Sequence, residues 1–508
     1  MLNIRAIGCP IVNSLVLLYS LVAVAQATDH TILFVDDHDV LYRSGTQRIL
    51  QQPTRHAKSA ILTETKPWEL AIGYCSVHHN PVTGRYQAWY QAYAGGRAKQ
   101  ASRRVVLCYA TSADGVNWQK PALGLFDFNG DEATNIVLVG NGLRSVNYGA
   151  SVLYDANEPN ALRRYKLAYW DFVNVKGRDV PGLCVAFSAD GIHWEKYIAP
   201  PLLQGAYGEP GPPPLVRESE GLPQPRPAIS DVIDVMFDSK RDRYVIYSKT
   251  WIDAPSGDRF WKRAVVRTES ENFVDWTPPT LVLTASDDDS GQLHGAPVFL
   301  HAGVYFGLLQ RLDFGGFDRG GTGNMPAELA TSRDGIEWRR SYSSRSFLPV
   351  TGDGETFDAG CLWTNSTPVI LPDEIRFYYG AYPSWTADVE RSKSGIGLFT
   401  LPRDRFVAIQ PRGKQGQITL KPIRLSPEMR ISVNADARGG EIQIELLDSS
   451  GYRVSGYTKD QSMPLADDNL KHPVRWRKSR LADLPSEGYQ IRIHLTNAKI
   501  FAITIQDD

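Results

Sequence analysis

Several acidic side chains stand at the ends of predicted strands, where a carboxylate can face a bound molecule. Near strand starts lie Glu69, Asp231, Asp358 and Glu328, and near strand ends lie Asp171, Asp253 and Asp313. Asp36 and Asp37 (LFVDDHDV) occur close to the beginning of the chain. Hydrolysis of a glycosidic bond needs two flanking carboxyl groups, one as proton donor and the other as base or nucleophile. If these residues converge, they would suit a sugar.

Asp231 (ISDVIDVMF) is the leading candidate for the base or nucleophile. It lies three residues from Asp234, so the two side chains point to opposite faces of a strand and only one faces the site. Glu69 (KPWELAIGY) or Glu328 (PAELATS) is the expected acid, and Asp358 (GETFDAGCLW) would tune a pKa or hold a hydroxyl. Carboxylates in close contact push their pKa values apart, which keeps one of them protonated near neutral pH.

Aromatic and polar side chains complete the predicted site, because aromatic faces stack on the apolar faces of sugar rings. The expected substrate-binding residues are Asp37, Trp68, Trp170, Asp171, His294, Asp313 and Trp363. For His294 (GQLHGAPV) a structural hydrogen bond is an equal alternative. We predict no metal and no cofactor, since Asp287-Asp288-Asp289 is more typical of a solvated acidic loop than of a calcium site.

The elements that would position these residues belong to a repeat. The motif S-x-D-G-x-x-W occurs in ATSADGVNW (110–118), AFSADGIHW (186–194) and ATSRDGIEW (330–338). Asp114 and Asp190 are 76 residues apart, and Asp190 and Asp334 are 144 apart, which is twice 72. RTESENFVDW (267–276) keeps the Ser and Trp of the motif and supplies the missing copy. A fixed period of this size indicates a repeat architecture.

Each unit contains short, aromatic, alternating runs that predict strands, such as RYQAWYQAY, RYKLAYWDF and RYVIYSKTW. No amphipathic helical pattern separates the runs. Five units of about four strands predict an all-β protein whose residues 28–407 form a five-bladed β-propeller. Alternating strands in GEIQIELLDSSGYRV, YQIRIHL and IFAITI then predict a β-sandwich over residues 408–508.

Propeller geometry sorts the carboxylates by face. The innermost strands of the blades all start at one face, whereas the S-x-D-G-x-x-W turns lie at the other. We therefore exclude Asp114, Asp190 and Asp334 from a central funnel. Their Asp-Gly pairs should form tight turns that tolerate positive φ, and the Trp of each motif should pack between neighbouring blades.

The formal net charge of −1 over 508 residues argues against nucleic acid or an anionic membrane surface as the main partner. Residues 1–27 have the pattern of a signal peptide: Arg5, an apolar stretch, and the cleavage site Ala25-Gln26-Ala27. We expect the chain to be secreted or periplasmic, with no later membrane span. The remaining cysteines, all in predicted strands, favour buried thiols over disulfides: Cys75, Cys108, Cys184 and Cys361.

The chain resembles secreted bacterial proteins of the glycoside hydrolase clan of families 32 and 43, including sialidase-like members. The resemblance is carried by LFVDDHDVL, KPWEL, RYQAWYQ, ATSRDGIEW, GDGETFDAG, IRFYYGAY and SGIGLFTLPRDRFV. The resemblance covers nearly the whole chain after the signal peptide. It implies a five-bladed propeller with a C-terminal sandwich that acts on a poly- or oligosaccharide.

The chain also departs from these families. It lacks the W-x-N-D-P-N-G, Arg-Asp-Pro and Glu-Cys motifs of family 32, and Asn147-Tyr148 stand where those enzymes place a carboxylate. Its turn motif is one residue shorter than the sialidase Asp-box. Three hypotheses follow: a glycoside hydrolase, a non-catalytic glycan-binding propeller that has lost the acid–base pair, and a scaffold for protein partners. The separation of the funnel carboxyl groups would discriminate between the first two.

Overall fold

The computed structural model describes residues 30–58, 60–142, 147–205, 227–253, 262–285, 291–313, 323–384 and 393–507. The predicted signal peptide and Asp287–Asp289 lie outside these residues. The described chain is built from β-strands and a few 3-10 helices at Gly95–Arg97, Ala101–Arg103, Ala161–Arg163, Lys459–Gln461 and Leu481–Asp483. The all-β class is therefore confirmed. Within the described ranges no helix has the length and apolar character needed to cross a membrane.

The first described residues form short strands: β1 (His30–Leu33), β2 (Val40–Ser44), β3 (Thr46–Leu50) and β4 (Thr54–Arg55). Two antiparallel sheets follow. Sheet 1 contains β5 (Ala71–His79), β6 (Tyr86–Tyr93), β7 (Val105–Ser112), β8 (Trp118–Gln119) and β9 (Ile136–Val139). Sheet 2 contains β10 (Tyr148–Tyr154), β11 (Tyr165–Val175), β12 (Arg178–Ser188), β13 (Glu195–Lys196) and β14 (Leu203–Gln204).

Three further antiparallel sheets repeat this arrangement. Sheet 3 contains β15 (Ile233–Asp238), β16 (Arg243–Ile252), β17 (Lys262–Ser270) and β18 (Thr280–Leu283). Sheet 4 contains β19 (Gln292–Gly295), β20 (Val298–His301), β21 (Val304–Leu312) and β22 (Ala327–Ser332). Sheet 5 contains β23 (Cys361–Thr364), β24 (Val369–Ile370), β25 (Glu374–Tyr382), β26 (Gly395–Pro402) and the early strand β4.

The first strands of these sheets join in a closed ring. Polar side chains connect neighbouring sheets. Between sheets 1 and 2, Ser76 Oγ accepts from Val152 N at 3.0 Å, and between sheets 2 and 3, Ser151 Oγ accepts from Val235 N at 3.2 Å. From the segment after β23 in sheet 5, Ser366 Oγ accepts from Val298 N of sheet 4 at 3.3 Å, and Asn365 Nδ2 donates to Cys75 O of sheet 1 at 2.7 Å. Sheets 3 and 4 meet where Val232 lies against Gly295. All five first strands therefore share one centre.

Strand register separates the two ends of each sheet. In sheet 1, Ala71 pairs with Tyr93 at one end, while His79 pairs with Tyr86, and Tyr86 with Ser112, at the other. The S-x-D-G-x-x-W turn follows Ser112, so it lies opposite to the start of the first strand. The exclusion of the motif carboxylates from the funnel agrees with this register.

The repeated turn also joins adjacent sheets. In sheet 4, Ser332 Oγ accepts from Gly335 N at 2.9 Å, and Asp334 Oδ1 accepts from Ile336 N at 2.9 Å. Tyr247 of sheet 3 donates its hydroxyl to Gly335 O at 2.7 Å and packs edge-on against half-buried Trp338. The same bond recurs from Trp89 to Gly191 O at 2.6 Å and from Tyr378 to Gly115 O at 3.0 Å.

The degenerate copy of the turn uses different residues for the same geometry. Asn272 replaces the Asp, and its Oδ1 accepts from Val274 N at 2.9 Å and Asp275 N at 2.8 Å. Phe273 replaces the Gly at a φ of 66°. Its side chain is fully buried between sheets 2 and 3, where apolar burial compensates for the unfavourable backbone region.

The remaining strands form two sheets that share one apolar core. They are β27 (Val407–Pro411), β28 (Gln415–Leu420), β29 (Ile423–Leu425), β30 (Met429–Asp436), β31 (Glu441–Leu447), β32 (Asp468–Pro473), β33 (Glu487–Thr496) and β34 (Lys499–Asp507). Sheet 6 runs β3-β27-β34-β30-β32 with β1 on β34, and sheet 7 runs β2-β28-β33-β29 with β31 on β33. Residues 30–50, which we assigned to the repeats, therefore belong with the C-terminal strands.

Candidate functional site

Tyr74 occupies the centre of the ring formed by the first strands. The register of β5 against β6 shifts between Gly73 and Cys75, so Tyr74 is the extra residue of a β-bulge. Its φ is 40°, a region that a non-glycine residue rarely adopts. Backbone strain of this kind costs energy and is concentrated at functional sites. The bulge turns the Tyr74 side chain toward the common centre.

Each of the other sheets contributes a residue near Tyr74. Its ring lies 5.4 Å from that of Tyr148 in sheet 2 and 5.8 Å from that of Trp363 in sheet 5, and its hydroxyl is 3.5 Å from His294 Nε2 in sheet 4. Asp231, which precedes sheet 3, acts on it electrostatically. We call this set, Tyr74, Tyr148, Asp231, His294 and Trp363, the funnel.

Further tyrosines extend the aromatic wall. The ring of Tyr382 is 4.7 Å from that of Trp363, and the ring of Tyr93 is 6.1 Å from that of Tyr148. Burial, together with neighbouring hydroxyls, raises the pKa of Tyr74, Tyr93 and Tyr382 well above the usual value. All three therefore remain neutral phenols that can donate or accept hydrogen bonds.

Asp231 forms an ion pair with Lys249, and Ser230 Oγ donates to Asp231 Oδ1 at 3.0 Å. The Lys249 side chain is only 7% exposed, whereas that of Asp231 is 30% exposed. Burial opposes ionisation, but the charge and hydrogen bond of Lys249 hold the pKa of Asp231 below its usual value. The funnel therefore contains a carboxylate that is ionised at neutral pH and still reaches open space.

The sheets approach closely beside Asp231. Gly149 has a φ of +61°, and a Cβ on it would lie 2.6 Å from the backbone oxygen of Asp231. Only glycine fits such a contact without displacing the backbone. The position of Asp231 relative to sheet 2 is therefore fixed by main-chain packing.

Cations surround the side of the funnel formed by sheets 3 and 4. The Arg263 guanidinium lies 4.5 Å from the centroid of Trp251 and donates to Gln292 Oε1 at 2.7 Å. Burial, followed by the charges of Lys249 and Arg263, lowers the pKa of His294 well below its usual value. His294 is therefore a neutral imidazole in hydrogen-bonding range of Tyr74.

A second carboxyl group, Glu64, lies near Tyr382 of the aromatic wall. Its Oε1 accepts hydrogen bonds from the backbone and hydroxyl of Ser394, the former at 2.5 Å. Its charge acts on Tyr382, whose ring contacts Trp363. Neither Glu64 nor Tyr74 is predicted from the sequence. Glu64 lies in the loop before β5, and Tyr74 reaches the funnel only because of the bulge in β5.

Three of the predicted catalytic carboxylates are enclosed elsewhere, which corrects their expected place in the funnel. Glu69 is fully buried, where it pairs with Lys120 at 2.6 Å and accepts from Tyr90 Oη at 2.6 Å. Asp358 is equally buried and accepts from Arg55 Nε and Tyr379 Oη, each at 2.8 Å. Glu328 is held by both ends of the Arg340 guanidinium, at 2.8 and 2.9 Å.

Several predicted substrate-binding residues are enclosed as well. Trp68 and Trp170 are 0% and 1% exposed inside apolar clusters, so neither can stack on a sugar. Asp171 is 1% exposed and accepts from Phe172 N at 2.8 Å. Asp37 lies near sheet 6, where Arg48 and Arg43 hold it, and so it does not enter the funnel. Strand position alone does not reveal such partners.

The remaining candidates lie at the funnel end of their sheets. His294 and Trp363 contact Tyr74 directly. Asp313 follows β21, pairs by backbone with Asn324 at 2.9 Å, and lies 3.9 Å from Arg311. Asp234 is buried, and burial alone raises the pKa of its carboxyl well above the usual value, in contrast to the lowered pKa of Asp231.

The described residues contain no group of three or more His, Cys, Asp or Glu side chains that could hold a metal ion. The cysteines are buried thiols: Cys75, Cys108, Cys184 and Cys361. Burial raises the pKa of Cys75 to about 12, so its thiol is unreactive.

No protein-family profile and no curated protein matches the chain. Solved structures are similar to it at low identity. A glycoside hydrolase gives a TM-score of 0.47 at 14% identity, covering 69% of this chain and 92% of that one. An N-acetylgalactosamine deacetylase from F. plautii gives 0.44 at 16% identity, covering 71% and 96%.

A family 32 β-fructofuranosidase from Bombyx mori gives a TM-score of 0.40 at 10% identity, covering 86% of this chain and 91% of that one. These structures include glycoside hydrolases of the kind that the sequence resembles. Scores this low do not transfer an activity, which must be argued from the residues of the site.

Proposed function

We propose that the chain is a secreted glycoside hydrolase that acts on a poly- or oligosaccharide in the funnel. Sheets 1–5 are its blades, arranged as a five-bladed β-propeller, and sheets 6 and 7 are its β-sandwich. Residues 1–27 are the export signal. The observation that carries the proposal is the convergence of an ionised carboxylate, Asp231, with aromatic rings from three sheets around Tyr74.

Asp231 is the base or nucleophile, because Lys249 keeps its carboxylate ionised at neutral pH. Glu64 is the proton donor in this proposal, since it is the other carboxyl group that acts on a tyrosine of the aromatic wall, Tyr382. The glycosidic C–O bond breaks as Glu64 protonates the leaving oxygen. Water then supplies the new hydroxyl at the anomeric carbon, either directly or after a covalent intermediate on Asp231.

The neutral side chains of the funnel position the sugar. Tyr148 and Tyr382 are half-buried and offer ring faces, whereas the buried side chains of Tyr74, His294 and Trp363 pack behind them. Phenols and imidazoles of this kind hydrogen-bond sugar hydroxyls without adding charge. The mixture of aromatic faces and uncharged donors favours a carbohydrate over a protein partner.

A second function, glycan binding without hydrolysis, is favoured by one observation. Asp231 is already paired with Lys249, while Glu69, Asp358 and Glu328 are each held by a cation. A binding propeller needs the aromatic wall but no free acid–base pair. The two functions differ in the fate of the sugar and not in where it binds.

Incubation of the purified chain with a library of poly- and oligosaccharides, followed by product analysis, tests the proposal. New reducing ends with the wild type, and loss of these products in both Asp231→Asn and Glu64→Gln, would support hydrolysis. Saturable binding without products would support the binding function. If no saccharide is bound or cleaved, both functions fail.

A further inference from the structure

A second concave site lies on the side of the molecule away from the funnel. A groove of about 590 Å³ separates the segment before β2 and strand β3 from the segment after Trp338. That segment follows the turn motif of sheet 4, at the end opposite to the start of β19. Its polar lining residues are Asp36, Asp37, Arg48, Arg339, Ser341, Tyr342, Ser344 and Arg345. Grooves of this volume hold small ligands.

The acidic residues of this groove are neutralised within the protein. Asp36 accepts from Arg333 Nη2 at 2.7 Å and Nε at 3.0 Å. Asp37 accepts from Arg48 Nη1 at 3.1 Å and from Arg43 Nε at 3.0 Å, and hydrogen bonds from these arginines help to lower the pKa of Asp37 to about 2. Both carboxylates are thus paired with arginines other than Arg339 and Arg345.

The opposite wall carries positive charge that remains uncompensated. Arg339 and Arg345 are exposed, and no acidic side chain among the described residues pairs with either guanidinium. Their neighbour Arg340, in contrast, is held by Glu328. A guanidinium presents a planar fork of donors that matches a carboxylate or sulfate group.

The floor of the groove suits a ring. Tyr342 donates its hydroxyl to Val35 O at 2.9 Å, which anchors its half-buried ring in the groove. In the sequence, Tyr342 lies between Arg339 and Arg345. Ser341 and Ser344 are exposed and supply hydroxyls. Aromatic face, hydroxyls and unpaired arginines together are the chemistry that recognises an acidic sugar.

We propose that this groove is an accessory binding site for an anionic saccharide, one bearing carboxylate or sulfate groups. It binds a part of the polymer distant from the funnel and retains the chain on its substrate. The inference extends the proposed function but stands on separate residues. Binding here is independent of Asp231 and Glu64.

Isothermal titration of the whole chain tests this site with three probes: an oligogalacturonide, a sulfated oligosaccharide and a neutral oligosaccharide of equal length. We expect one or both anionic probes to bind. The double variant Arg339→Ala/Arg345→Ala should weaken that binding at least about tenfold, equivalent to about 1.4 kcal/mol. Comparing the first two probes distinguishes carboxylate from sulfate recognition.

A matched control removes the same charge elsewhere. Arg85 and Arg104 are exposed and directly precede β6 and β7, and Arg85→Ala/Arg104→Ala should leave binding unchanged. Arg339→Ala/Arg345→Ala should cleave or bind a neutral saccharide in the funnel like the wild type, which separates failure of this site from failure of the funnel. Equal loss in both double variants would indicate unspecific charge attraction and overturn the proposal. Absence of binding by the wild type to either anionic probe would overturn it as well.

Discussion

Lys249 and Asp231 form an ion pair at the mouth of the ring of first strands, with the lysine buried and the carboxylate partly open. The lysine extends from β16, and the aspartate precedes β15 of the same sheet. Taking a charge out of water is costly unless a partner compensates it. The negative charge of Asp231 in the funnel therefore also stabilises sheet 3, because it compensates the buried charge of Lys249.

Replacement of Asp231 by Asn should reduce both activity and stability. Turnover on the true saccharide should fall at least about 10²-fold, the low end for a lost acid–base group. The free energy of unfolding should fall by about 1–3 kcal/mol, because Lys249 is left buried without its charged partner. Steady-state kinetics and urea denaturation measure the two effects separately.

The double variant Asp231→Asn/Lys249→Met distinguishes the two effects. Removing the buried ammonium should restore much of the lost stability, since an apolar replacement of a buried ion pair is often neutral. Activity should remain absent. Recovery of activity in the double variant would show that Asp231 acts only by neutralising Lys249.

Loss of the Tyr74 hydroxyl should weaken saccharide binding while sparing the fold. Tyr74→Phe keeps the ring contacts to Tyr148 and Trp363, and one missing hydrogen bond should raise Kd about three- to tenfold. Tyr90→Phe is the control, because its hydroxyl serves buried Glu69. That variant should lose about 1–3 kcal/mol of stability without a change in Kd. The opposite pattern would place the ligand elsewhere.

The repeated turn should contribute to stability in a pH-dependent manner. Partial burial opposes ionisation of Asp190, but hydrogen bonds from His193 and Ile192 N–H lower its pKa to about 2. A lowered folded-state pKa gives stability that is present above the unfolded pKa of about 4 and is lost as the pH falls through about 2. Asp190→Asn should flatten this acid limb, because Asn272 shows that an amide can maintain the turn.

Thermal melts of the wild type and Asp190→Asn at neutral pH and at about pH 3 and 2 provide the check. The wild type should melt at the higher temperature at neutral pH, and this difference should shrink or reverse in acid. A variant with the same acid dependence as the wild type would show that this carboxylate does not couple folding to protonation.

Gly335 should tolerate no side chain. Its φ is +71°, and a Cβ would lie 2.8 Å from the Tyr247 hydroxyl that bonds its carbonyl. Gly335→Ala should therefore cost about 1–3 kcal/mol from backbone strain and more from the contact. Gly352 has a φ of +70° with nothing within 4 Å, so Gly352→Ala measures the backbone cost alone. If Gly335→Ala and Gly352→Ala lost the same free energy of unfolding in urea denaturation, the contact between the turn and Tyr247 would have no packing role.

Much of the fold could be predicted from local sequence. Alternating aromatic strands and the S-x-D-G-x-x-W turns have periods that reveal strands and turns directly, and the all-β sheets agree with them. The pairing of β1 with β34 could not be predicted, because His30 meets Ile505 across almost the whole chain. No local pattern distinguishes a strand of the first repeat from one that completes a distant sheet.

The site was harder to predict than the fold. Strand position predicts that Asp231, His294 and Trp363 lie at one end of their sheets, but it cannot tell an open carboxylate from an enclosed one. Glu69 and Glu328 had suitable positions, yet Lys120 and Arg340 enclose them. Tyr74 depends on a bulge, which follows from the packing of five sheets and not from the sequence around it.

The most direct test of the central claim compares kcat/KM for Asp231→Asn and Asp114→Asn on the saccharide that the wild type cleaves. Asp114 is also a carboxylate at a strand end, but it lies at the far end of sheet 1. We predict a loss of at least about 10²-fold in Asp231→Asn and nearly full activity in Asp114→Asn. Full activity in Asp231→Asn, or an equal loss in both variants, would contradict a catalytic funnel centred on Asp231.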